Sequence, residues 1–399
     1  MSSPIEPKES NRTQAQPPKK GNPVSRTSYF VTCAPGLEPV LHEELRALRF
    51  AKVERQVGGA YFEGNVEDEM RANLELRTAV RVLRRLCRFR ADDSESLYEG
   101  ALAVDWSQYL APGGSILIAA HTRNSELDHS HFIEQRVKDA ICDQQRNVRG
   151  GRPEVDKDNP DLRIDVHLFK DRCTLSVDTS GEPLHKRGWR RFQGGAPLAE
   201  NLAAGLVLLS GWDRRSPVVD PFCGSATLLI EAALIAADAA PGLYREHFGF
   251  QSFPDHNPKL WHRLKEAAKE RRKPIKKLRL VGTDASSDVI GGAGANVVNA
   301  GLEENISLSV ACAEDFKPKR GWNAWILTNP PYGERLGNAR ELADVYRRLG
   351  RALKDGASGY SLVMFSGNKD LTTATGIKFA SRMELANGAL PCELCIAQL

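Results

Sequence analysis

Three short polar segments of this chain each follow a run of apolar residues and carry the residue types that chemistry would need. The first covers residues 220–227, the second ends at Asp284 and the third covers residues 329–332. Each apolar run predicts a buried strand, and the carboxyl ends of parallel strands meet at one edge of a sheet. We therefore expect the three segments to form one site.

The first segment joins an acidic residue to a turn of small residues that opens a predicted helix. Small residues let the backbone approach a ligand, and the acid can bind an ammonium or hydroxyl group. A phosphate-binding loop needs a lysine near the start of the helix, and this segment has none. The segment therefore predicts a nucleoside ligand without phosphates. The cofactor contacts predicted here are Asp220, Pro221, Cys223, Gly224 and Thr227.

Asp284 ends the next predicted strand, after Gly282 and Thr283. A carboxylate at this point can accept hydrogen bonds from both hydroxyls of a ribose. Taken alone, such an acid is as often the N-cap of the helix that follows. Its position in order after residues 220–227 favours the ribose interpretation.

The third segment determines the predicted reaction. It consists of Asn329, Pro330, Pro331 and Tyr332. The two prolines remove backbone donors and fix φ, so the chain is rigid where the strand ends. The side-chain oxygen of Asn329 and the carbonyl of Pro330 can each accept a hydrogen from a planar amino group while Tyr332 stacks on the base. Such acceptors favour a pyramidal geometry at the nitrogen and align its lone pair with a sulfonium methyl. The alternative interpretation of these four residues is a simple turn, because Asn-Pro and Pro-Pro are common turn dipeptides.

The elements that must position these segments alternate between strands and helices after residue 196. Strands are predicted at 217–219, 278–282, 307–311, 325–328 and 360–365, and helices at 198–209, 227–239, 290–299 and 342–353. This alternation predicts an α/β fold with a doubly wound, largely parallel sheet.

Two small α+β units are predicted before residue 181. Strands are expected at 29–32, 53–62, 115–120, 162–168 and 173–178, and helices at 38–48, 67–86 and 132–145. The helical period over 67–86 places Arg77, Arg81, Arg84 and Arg85 on an outer face. The spacing of the second unit fits an RNA-binding module, and residues 181–195, rich in Gly and Arg, predict a linker.

Charge and composition narrow the possible partners. The formal net charge is +4, but five basic and two acidic residues lie in residues 1–28, a predicted disordered tail, so an RNA-binding face must be a local patch. Its candidate residues are Arg187, Arg190 and Arg191, beside the arginines of residues 77–90.

Other features argue against a metal and a membrane. The eight cysteines are scattered without the spacing of a zinc site, which predicts reduced thiols and no metal. The longest apolar stretch, residues 227–240, is too short to cross a bilayer, and the N-terminus lacks the apolar core of a signal sequence. We therefore expect a cytoplasmic protein with no membrane partner.

Together, residues 220–227, Asp284 and residues 329–332 resemble the class I methyltransferases with an Asn-Pro-Pro-Tyr motif. From about residue 29 to the C-terminus the chain resembles the THUMP-containing guanine-N2 RNA methyltransferases, and within them the branch that acts on bacterial large-subunit rRNA. Other matching stretches are residues 32–38, 137–141, 184–190, 196–198 and 228–233.

The resemblance implies a Rossmann-like methyltransferase domain preceded by an α+β ferredoxin-like and THUMP region. The implied division is a ferredoxin-like segment at 29–68, a THUMP domain at 69–180, a linker at 181–195 and a methyltransferase domain at 196–399. It implies S-adenosylmethionine as cofactor and N2-methylguanosine in large-subunit (23S) rRNA as product, formed by a monomer on the RNA or its precursor particle. Asp220 and Gly224 would lie by the methionine part of the cofactor, Asp284 by its ribose, and Asn329 by both cofactor and guanine.

The chain departs from the family pattern at three points. Ala226 replaces the usual last glycine of the loop, which is harmless only if this residue needs no positive φ. Cys312 stands where the family usually has an aspartate for the adenine amino group, and Asp315 is the predicted substitute. One catalytic domain is present, so the second activity of fused relatives is not expected.

Two other functions remain open at this stage. The segment at residues 329–332 can hold any planar amine, so a tRNA guanine-N2 or an adenine-N6 methyltransferase is the enzymatic alternative. A non-catalytic RNA-binding ribosome assembly factor is the alternative from another class, with Ala226 and Cys312 as signs of lost catalysis.

Overall fold

The computed structural model describes residues 26–195, 197–319, 321–332 and 339–399. Most of the predicted tail, residues 1–25, lies outside this part of the chain, and Thr27 already begins the first strand. The elements of the N-terminal region are β1 (Thr27–Cys33), α1 (Glu38–Ala47), β2 (Ala51–Gln56), β3 (Gly59–Gly64), α2 (Val66–Glu75), β4 (Ala79–Arg90), α3 (Ser94–Leu102), β5 (Ser115–Arg123), α4 (Ser130–Arg149), β6 (Glu154–Val155), β7 (Leu162–Phe169) and β8 (Arg172–Asp178).

The N-terminal strands share one sheet. Among the described residues its order is β2-β3-β1-β4-β8-β7-β5-β6. In its first half β1 lies between β3 and β4 and is antiparallel to both, which gives the β-α-β-β-α-β arrangement of a ferredoxin-like unit. β4 also pairs with β8, so the second unit continues the sheet of the first. The two units therefore expose one common sheet face.

The predicted helix at 67–86 is wrong. The helix begins after a capping box at Asn65 and ends at Glu75, and β4 follows it. Register shifts next to Val80 and between Arg85 and Cys87 mark bulges in β4. A bulge interrupts the alternation of buried and exposed positions, so apolar residues in a bulged strand acquire nearly helical spacing.

One predicted boundary and the predicted linker lie in well-packed parts of the fold. The boundary between residues 68 and 69 falls inside α2, whose chain returns to the first sheet through β4. The predicted linker at 181–195 packs against the protein, since Leu184, Arg187 and Trp189 are each 1% exposed. The connection therefore fixes the N-terminal region against the catalytic region.

The C-terminal region is the predicted doubly wound α/β domain. Its elements are α5 (Glu200–Leu209), β9 (Val218–Asp220), α6 (Thr227–Ala236), α7 (Pro258–Glu270), β10 (Leu280–Asp284), α8 (Ser287–Asn299), β11 (Ile306–Val310), β12 (Trp325–Thr328), α9 (Ala339–Gly356), β13 (Ser361–Ser366), α10 (Lys369–Ala374), β14 (Ser381–Asn387) and β15 (Leu390–Gln398). Within the described ranges the sheet order is β11-β10-β9-β12-β13-β15-β14. The strands from β9 to β13 are parallel, and β15 is antiparallel to β13. The hairpin of β14 and β15 was not predicted.

Both faces of this sheet are covered. Val218 and Leu327 belong to the core shared with α5, α6 and α8, whereas Val219 and Ile326 belong to the core beneath α9. Adjacent strand residues point to opposite faces, so strands buried on both sides are almost wholly apolar. This explains why the sequence predicted these strands well.

The basic run at residues 259–279 forms α7 and the turn after it. α7 packs beside α2, where Arg263 and Arg271 form ion pairs with Glu67 and Glu75. The run thus helps to hold the two regions together. Among the described residues no helix is long and apolar enough to cross a membrane.

Candidate functional site

The candidate site lies where the strand order of the C-terminal sheet reverses. β9 pairs with β10 on one side and with β12 on the other, and all three run parallel. Ligands of such sheets bind in the crevice at the carboxyl ends beside this reversal. Asp220 ends β9, Asp284 ends β10 and Asn329 follows β12. The fold therefore brings the three predicted segments to one edge.

Asp220 lies at the bottom of this crevice and is 1% exposed. Its Oδ1 accepts hydrogen bonds from the Thr328 hydroxyl at 2.8 Å and from the Phe222 backbone N–H at 3.1 Å. The pKa of Asp220 is raised to about 7, chiefly because the carboxyl is buried, with a smaller contribution from the nearby carboxylate of Asp284; both hydrogen bonds oppose this rise. The sequence analysis did not identify Thr328, because a hydroxyl residue at the end of a strand has no distinctive sequence signal.

Asp284 holds the 220–227 loop. Its Oδ2 accepts a 3.2 Å hydrogen bond from the Gly224 N–H, and its Oδ1 accepts one of 3.0 Å from the Ser286 N–H. The N-cap of α8 is Ser286, whose hydroxyl accepts from Val289 N–H. Asp284 is thus not the cap, and it is half-buried at the end of β10.

The backbone of the 220–227 loop takes left-handed conformations at Gly224, with φ 51°, and at Ala226, with φ 61°. Glycine adopts such angles freely, but an alanine there costs about 1–2 kcal/mol. The replacement of glycine by Ala226 would be harmless only without a positive φ, so it carries an energetic cost here. The loop keeps the shape of a glycine turn at the expense of local strain.

The other predicted loop residues face inward. Cys223 is 5% exposed, and burial raises the pKa of its thiol, which keeps it neutral. The carbonyl of Pro221 accepts a 3.4 Å hydrogen bond from the Thr283 hydroxyl. Thr227 is 3% exposed, and its hydroxyl lies 3.0 Å from the hydroxyl of Ser225. These residues shape the loop, and direct contact with a cofactor stays a prediction for them.

Asn329 carries a polar atom without a partner. Its Oδ1 is buried and accepts no hydrogen bond within the part of the chain that the structure describes. The Tyr346 hydroxyl donates a 3.1 Å hydrogen bond to the Pro331 carbonyl, which fixes the segment against α9. Buried acceptors are nearly always paired, so an unpaired one at a crevice indicates a place for a donor that the protein does not supply.

Tyr332 is anchored at its hydroxyl. Asn387, on the unpredicted strand β14, donates a 3.0 Å hydrogen bond to that oxygen. The ring meets Phe365 edge-on, with centroids 6.4 Å apart, and burial raises the pKa of the phenol to about 12. Base stacking by Tyr332 stays a prediction, and Asn387 is a supporting residue that sequence alone did not identify.

Cys312 and Asp315 follow β11 at the same edge of the sheet. Both side chains are exposed, and Asp315 ends a short 3-10 turn that begins at Ala313. The structure thus leaves the Asp315 carboxylate available to a ligand, and its contact with adenine stays a prediction.

The three arginines predicted to bind RNA differ sharply. Arg187 is 1% exposed, and its guanidinium bonds Glu231 and the carbonyl of Leu184, so the prediction that it contacts RNA is wrong. Arg190 is largely buried and donates to Glu200, so it too is occupied inside the protein. Only Arg191 presents an exposed side chain. The basic character of this segment misled the prediction, because buried arginines pair with carboxylates that are distant in sequence.

Within the described ranges, no group of three or more His, Cys, Asp or Glu side chains is placed to hold a metal ion. The described residues at the crevice offer the carboxylates of Asp220 and Asp284, the amide oxygen of Asn329 and the ring of Tyr332.

Comparison with protein families gives three matches along the chain. Residues 28–83 match the RlmL ferredoxin-like domain, residues 91–178 the THUMP domain, and residues 187–396 the family described as RMKL-like, methyltransferase domain. The first match ends at residue 83, so it includes only the start of β4, the part that pairs with β1 in the first sheet.

Relatives and solved structures agree with these matches. A ribosomal RNA large subunit methyltransferase K/L of Syntrophotalea carbinolica is 40% identical over 92% of this chain and 53% of its own length. A putative RNA methyltransferase of Synechocystis is 37% identical over 92% of this chain and 95% of its own. A putative methyltransferase crystallised with SAH is 31% identical, with a TM-score of 0.85 over 94% of this chain and 98% of its own. The chain spans about half the length of the K/L relatives it matches.

Proposed function

Because the chain belongs to the family of RMKL-like methyltransferases, we propose that it uses S-adenosylmethionine to form N2-methylguanosine in large-subunit (23S) ribosomal RNA. The observation that carries this proposal is the buried, unpartnered Oδ1 of Asn329 at the end of β12. An exocyclic amino group supplies the donor that this oxygen lacks. The SAH complex of a similar protein and the name of the K/L relatives support the cofactor and the RNA.

The residues at the crevice fit the proposed cofactor. Asp284 lies at a strand end beside a loop whose backbone approaches closely, as a ribose requires. Apart from its two chain neighbours, no described residue has an atom within 4 Å of where a Cβ on Gly224 would be, so the loop is open on that side. Asp220 and Gly224 would lie by the methionine part, and Asp315 by the adenine. The bound cofactor supplies an electrophilic methyl group.

The chain's own contribution is to position the amine. Asn329 Oδ1 and the Pro330 carbonyl accept its two hydrogens, while Pro330 and Pro331 keep both acceptors rigid. This arrangement turns the nitrogen lone pair out of conjugation and toward the methyl group. Tyr332 stacks on the base from a ring that Asn387 and Phe365 hold. No strong base is needed, because the alkylated nitrogen becomes acidic and releases its proton.

RNA would bind the common sheet face of the N-terminal region. A groove of about 510 Å³ crosses this face. Arg85 lies there with its guanidinium 4.9 Å from the Phe30 ring centroid and 5.5 Å from that of Tyr61, and Arg163 lines the same groove. Cations beside aromatic rings suit phosphates and unstacked bases. Arg191, which is exposed in the segment that leads into the catalytic region, is a further candidate for RNA contact.

The K/L relatives are named for ribosomal RNA, which supports rRNA or its precursor particle as the partner. Such particles are cytoplasmic in bacteria, the source of those relatives, so we place the protein in the cytoplasm. We propose that it acts as a monomer, because the three segments of the crevice all come from one chain.

The proposal is tested with labelled S-adenosylmethionine and large-subunit rRNA from cells that lack this protein. Nucleoside analysis of the product should show N2-methylguanosine. Parallel reactions with tRNA and with DNA separate the alternatives, since methylation of tRNA alone or formation of N6-methyladenine would overturn the assignment. Calorimetry with SAH addresses the assembly-factor alternative, which predicts no binding.

A further inference from the structure

The connection between the two regions lies directly on the 220–227 loop. We call residues 187–192 the strap. Its first residue, Arg187, bonds Glu231 on α6, the helix that the loop opens. Its remaining residues run past α8, where Asn299 donates a 2.8 Å hydrogen bond to the Trp189 carbonyl. The strap is thus fixed at Arg187 and at Trp189 against elements that border the loop.

Arg190 is the strap residue that reaches the loop. Its Nη1 donates to the Ser225 hydroxyl at 3.0 Å, and its Nη2 donates to the Thr227 hydroxyl at 3.0 Å. The same Nη2 donates to the Leu198 carbonyl at 2.9 Å, and Nε donates to Glu200 Oε1 at 2.8 Å. One planar guanidinium therefore joins the loop to the first turn of α5.

Asn296 makes a second connection between strap and loop. Its Oδ1 accepts from the backbone N–H groups of Arg191, at 2.7 Å, and Phe192, at 2.9 Å. Its Nδ2 donates to the Phe192 carbonyl at 3.0 Å and to the Ser225 carbonyl at 3.1 Å. The side chain is fully buried and all its hydrogen-bonding capacity is used. Loop and strap are therefore tied through backbone as well as side-chain atoms.

The loop needs such support because its own conformation is strained. Ala226 is left-handed, and a non-glycine residue holds such angles only where its surroundings determine them. Ala226 lies between Ser225 and Thr227, the two residues that Arg190 holds. Removing these hydrogen bonds would let the loop relax away from the shape that Gly224 presents to a ligand.

We propose that Arg190 is a positioning residue for the cofactor: it holds the 220–227 loop in the conformation that binds S-adenosylmethionine. The inference rests on the proposed cofactor and assigns Arg190 a role distinct from RNA binding. Its guanidinium is turned into the protein, where it contacts the loop and Glu200 rather than solvent.

Lysine cannot replace this arginine. An ammonium group is a compact point charge, whereas the guanidinium donates in fixed directions to acceptors on both sides. Arg190→Lys preserves the charge opposite Glu200 but cannot bond both hydroxyls together with the Leu198 carbonyl. The substitution therefore separates the charge of Arg190 from its geometry.

Isothermal calorimetry with SAH measures the effect directly, alongside steady-state methyl transfer. For Arg190→Lys we expect the Kd for SAH and the KM for S-adenosylmethionine to rise by about tenfold, the equivalent of one good hydrogen bond. The kcat at saturating cofactor should stay within about twofold. Lys186→Gln is the matched control, because Lys186 is an exposed cation beside the strap whose ion pair among the described residues is with Glu182; the SAH affinity of this variant should equal that of the unsubstituted protein.

A second variant keeps the test decisive if Arg190→Lys is poorly folded. Ser225→Ala removes one acceptor of Arg190 and should weaken SAH binding in the same direction. In the double variant the two effects should combine to less than the product of the single ones, since they break the same contact. Unchanged SAH affinity in both folded single variants overturns the inference, as does an Arg190→Lys variant that loses only RNA affinity. If the unsubstituted protein fails to bind SAH, the proposed function itself fails.

Discussion

The hydroxyl of Thr328 donates a 2.8 Å hydrogen bond to Oδ1 of Asp220, which joins the strand that precedes Asn329 to the strand that opens the 220–227 loop. The bond is buried, and it links the two halves of the candidate site: the loop that would hold the cofactor and the segment that would hold the base. Their separation is therefore fixed by one side-chain contact as well as by the pairing of β9 with β12.

Removing this contact should destabilise the protein. Thr328→Val keeps the shape of the side chain but leaves the Asp220 carboxyl with one donor fewer in a buried place. We expect the free energy of unfolding to fall by about 1–3 kcal/mol, the cost of an unsatisfied buried acceptor. Urea denaturation checks this. Thr328→Ser retains the hydroxyl, so its free energy of unfolding should fall less. Equal decreases for the Ser and Val variants would show that the hydrogen bond is unimportant.

Asp220 should make stability depend on pH. Burial raises its pKa from 3.8 to about 7, so the folded protein binds this proton more tightly than the unfolded chain does. The contribution of Asp220 to the free energy of unfolding is therefore most favourable below pH 4 and declines as the pH rises to about 7, by roughly 1 kcal/mol for each pH unit.

Asp220→Asn removes this titration and keeps an oxygen that can accept from Thr328 and Phe222. The stability of the variant relative to the unsubstituted protein should therefore increase between pH 4 and pH 7. Denaturant titrations at several pH values give the difference. A difference that is constant across this range would contradict a raised pKa.

Ala226 offers a substitution that should stabilise. Because the φ of Ala226 is 61°, Ala226→Gly relieves about 1–2 kcal/mol of strain, less the roughly 0.5–1 kcal/mol of entropy that glycine loses on folding. Ala267→Gly is the matched control, since Ala267 is an exposed residue inside α7 and the same change there should destabilise by about 1 kcal/mol. In thermal unfolding we expect the Tm to rise for Ala226→Gly and to fall for Ala267→Gly. A loss of stability in both variants would show that Ala226 is unstrained.

The sequence predicted the catalytic sheet well because its strands are buried on both faces and its helices are long. The strand at 325–328 was predicted to the residue. β4 was mistaken for a helix because two bulges gave it helical spacing, and the hairpin of β14 and β15 has little apolar alternation to reveal it. Asn387 was missed with that hairpin.

In the candidate site, too, the sequence predicted the residues that end strands but not the contacts between distant residues. Motifs identified Asp220, Asp284 and Asn329, because each follows an apolar strand. Arg187 and Arg190 were assigned to RNA because isolated sequence cannot show that Glu231 and Glu200 face them in the fold. Whether a basic residue is exposed depends on tertiary contacts, and only the structure separates Arg191 from its neighbours.

Arg191 should carry the electrostatic part of RNA binding in this segment. Its side chain is exposed, so Arg191→Gln should weaken RNA affinity and reduce the slope of log K against log salt by about 1, as expected for the loss of one phosphate contact. Filter binding over a range of salt concentrations measures the slope. Arg347→Gln, an exposed arginine on α9, serves as the control and should leave the slope unchanged. Equal slopes for all three proteins would place the RNA elsewhere.

Asn329 should separate catalysis from cofactor binding. Its Oδ1 is the unpaired acceptor in the crevice, and Asn329→Ala removes an interaction that matters most when the amine is pyramidal and attacks. We expect kcat to fall by about a hundredfold or more, as for the loss of other preorganised polar groups. The SAH affinity, measured by calorimetry, should change by no more than a few fold. Retained SAH binding also shows that the variant is folded. If Asn329→Ala lost SAH binding and activity in equal measure, Asn329 would be a cofactor ligand only, and the positioning of the amine would fall to another group.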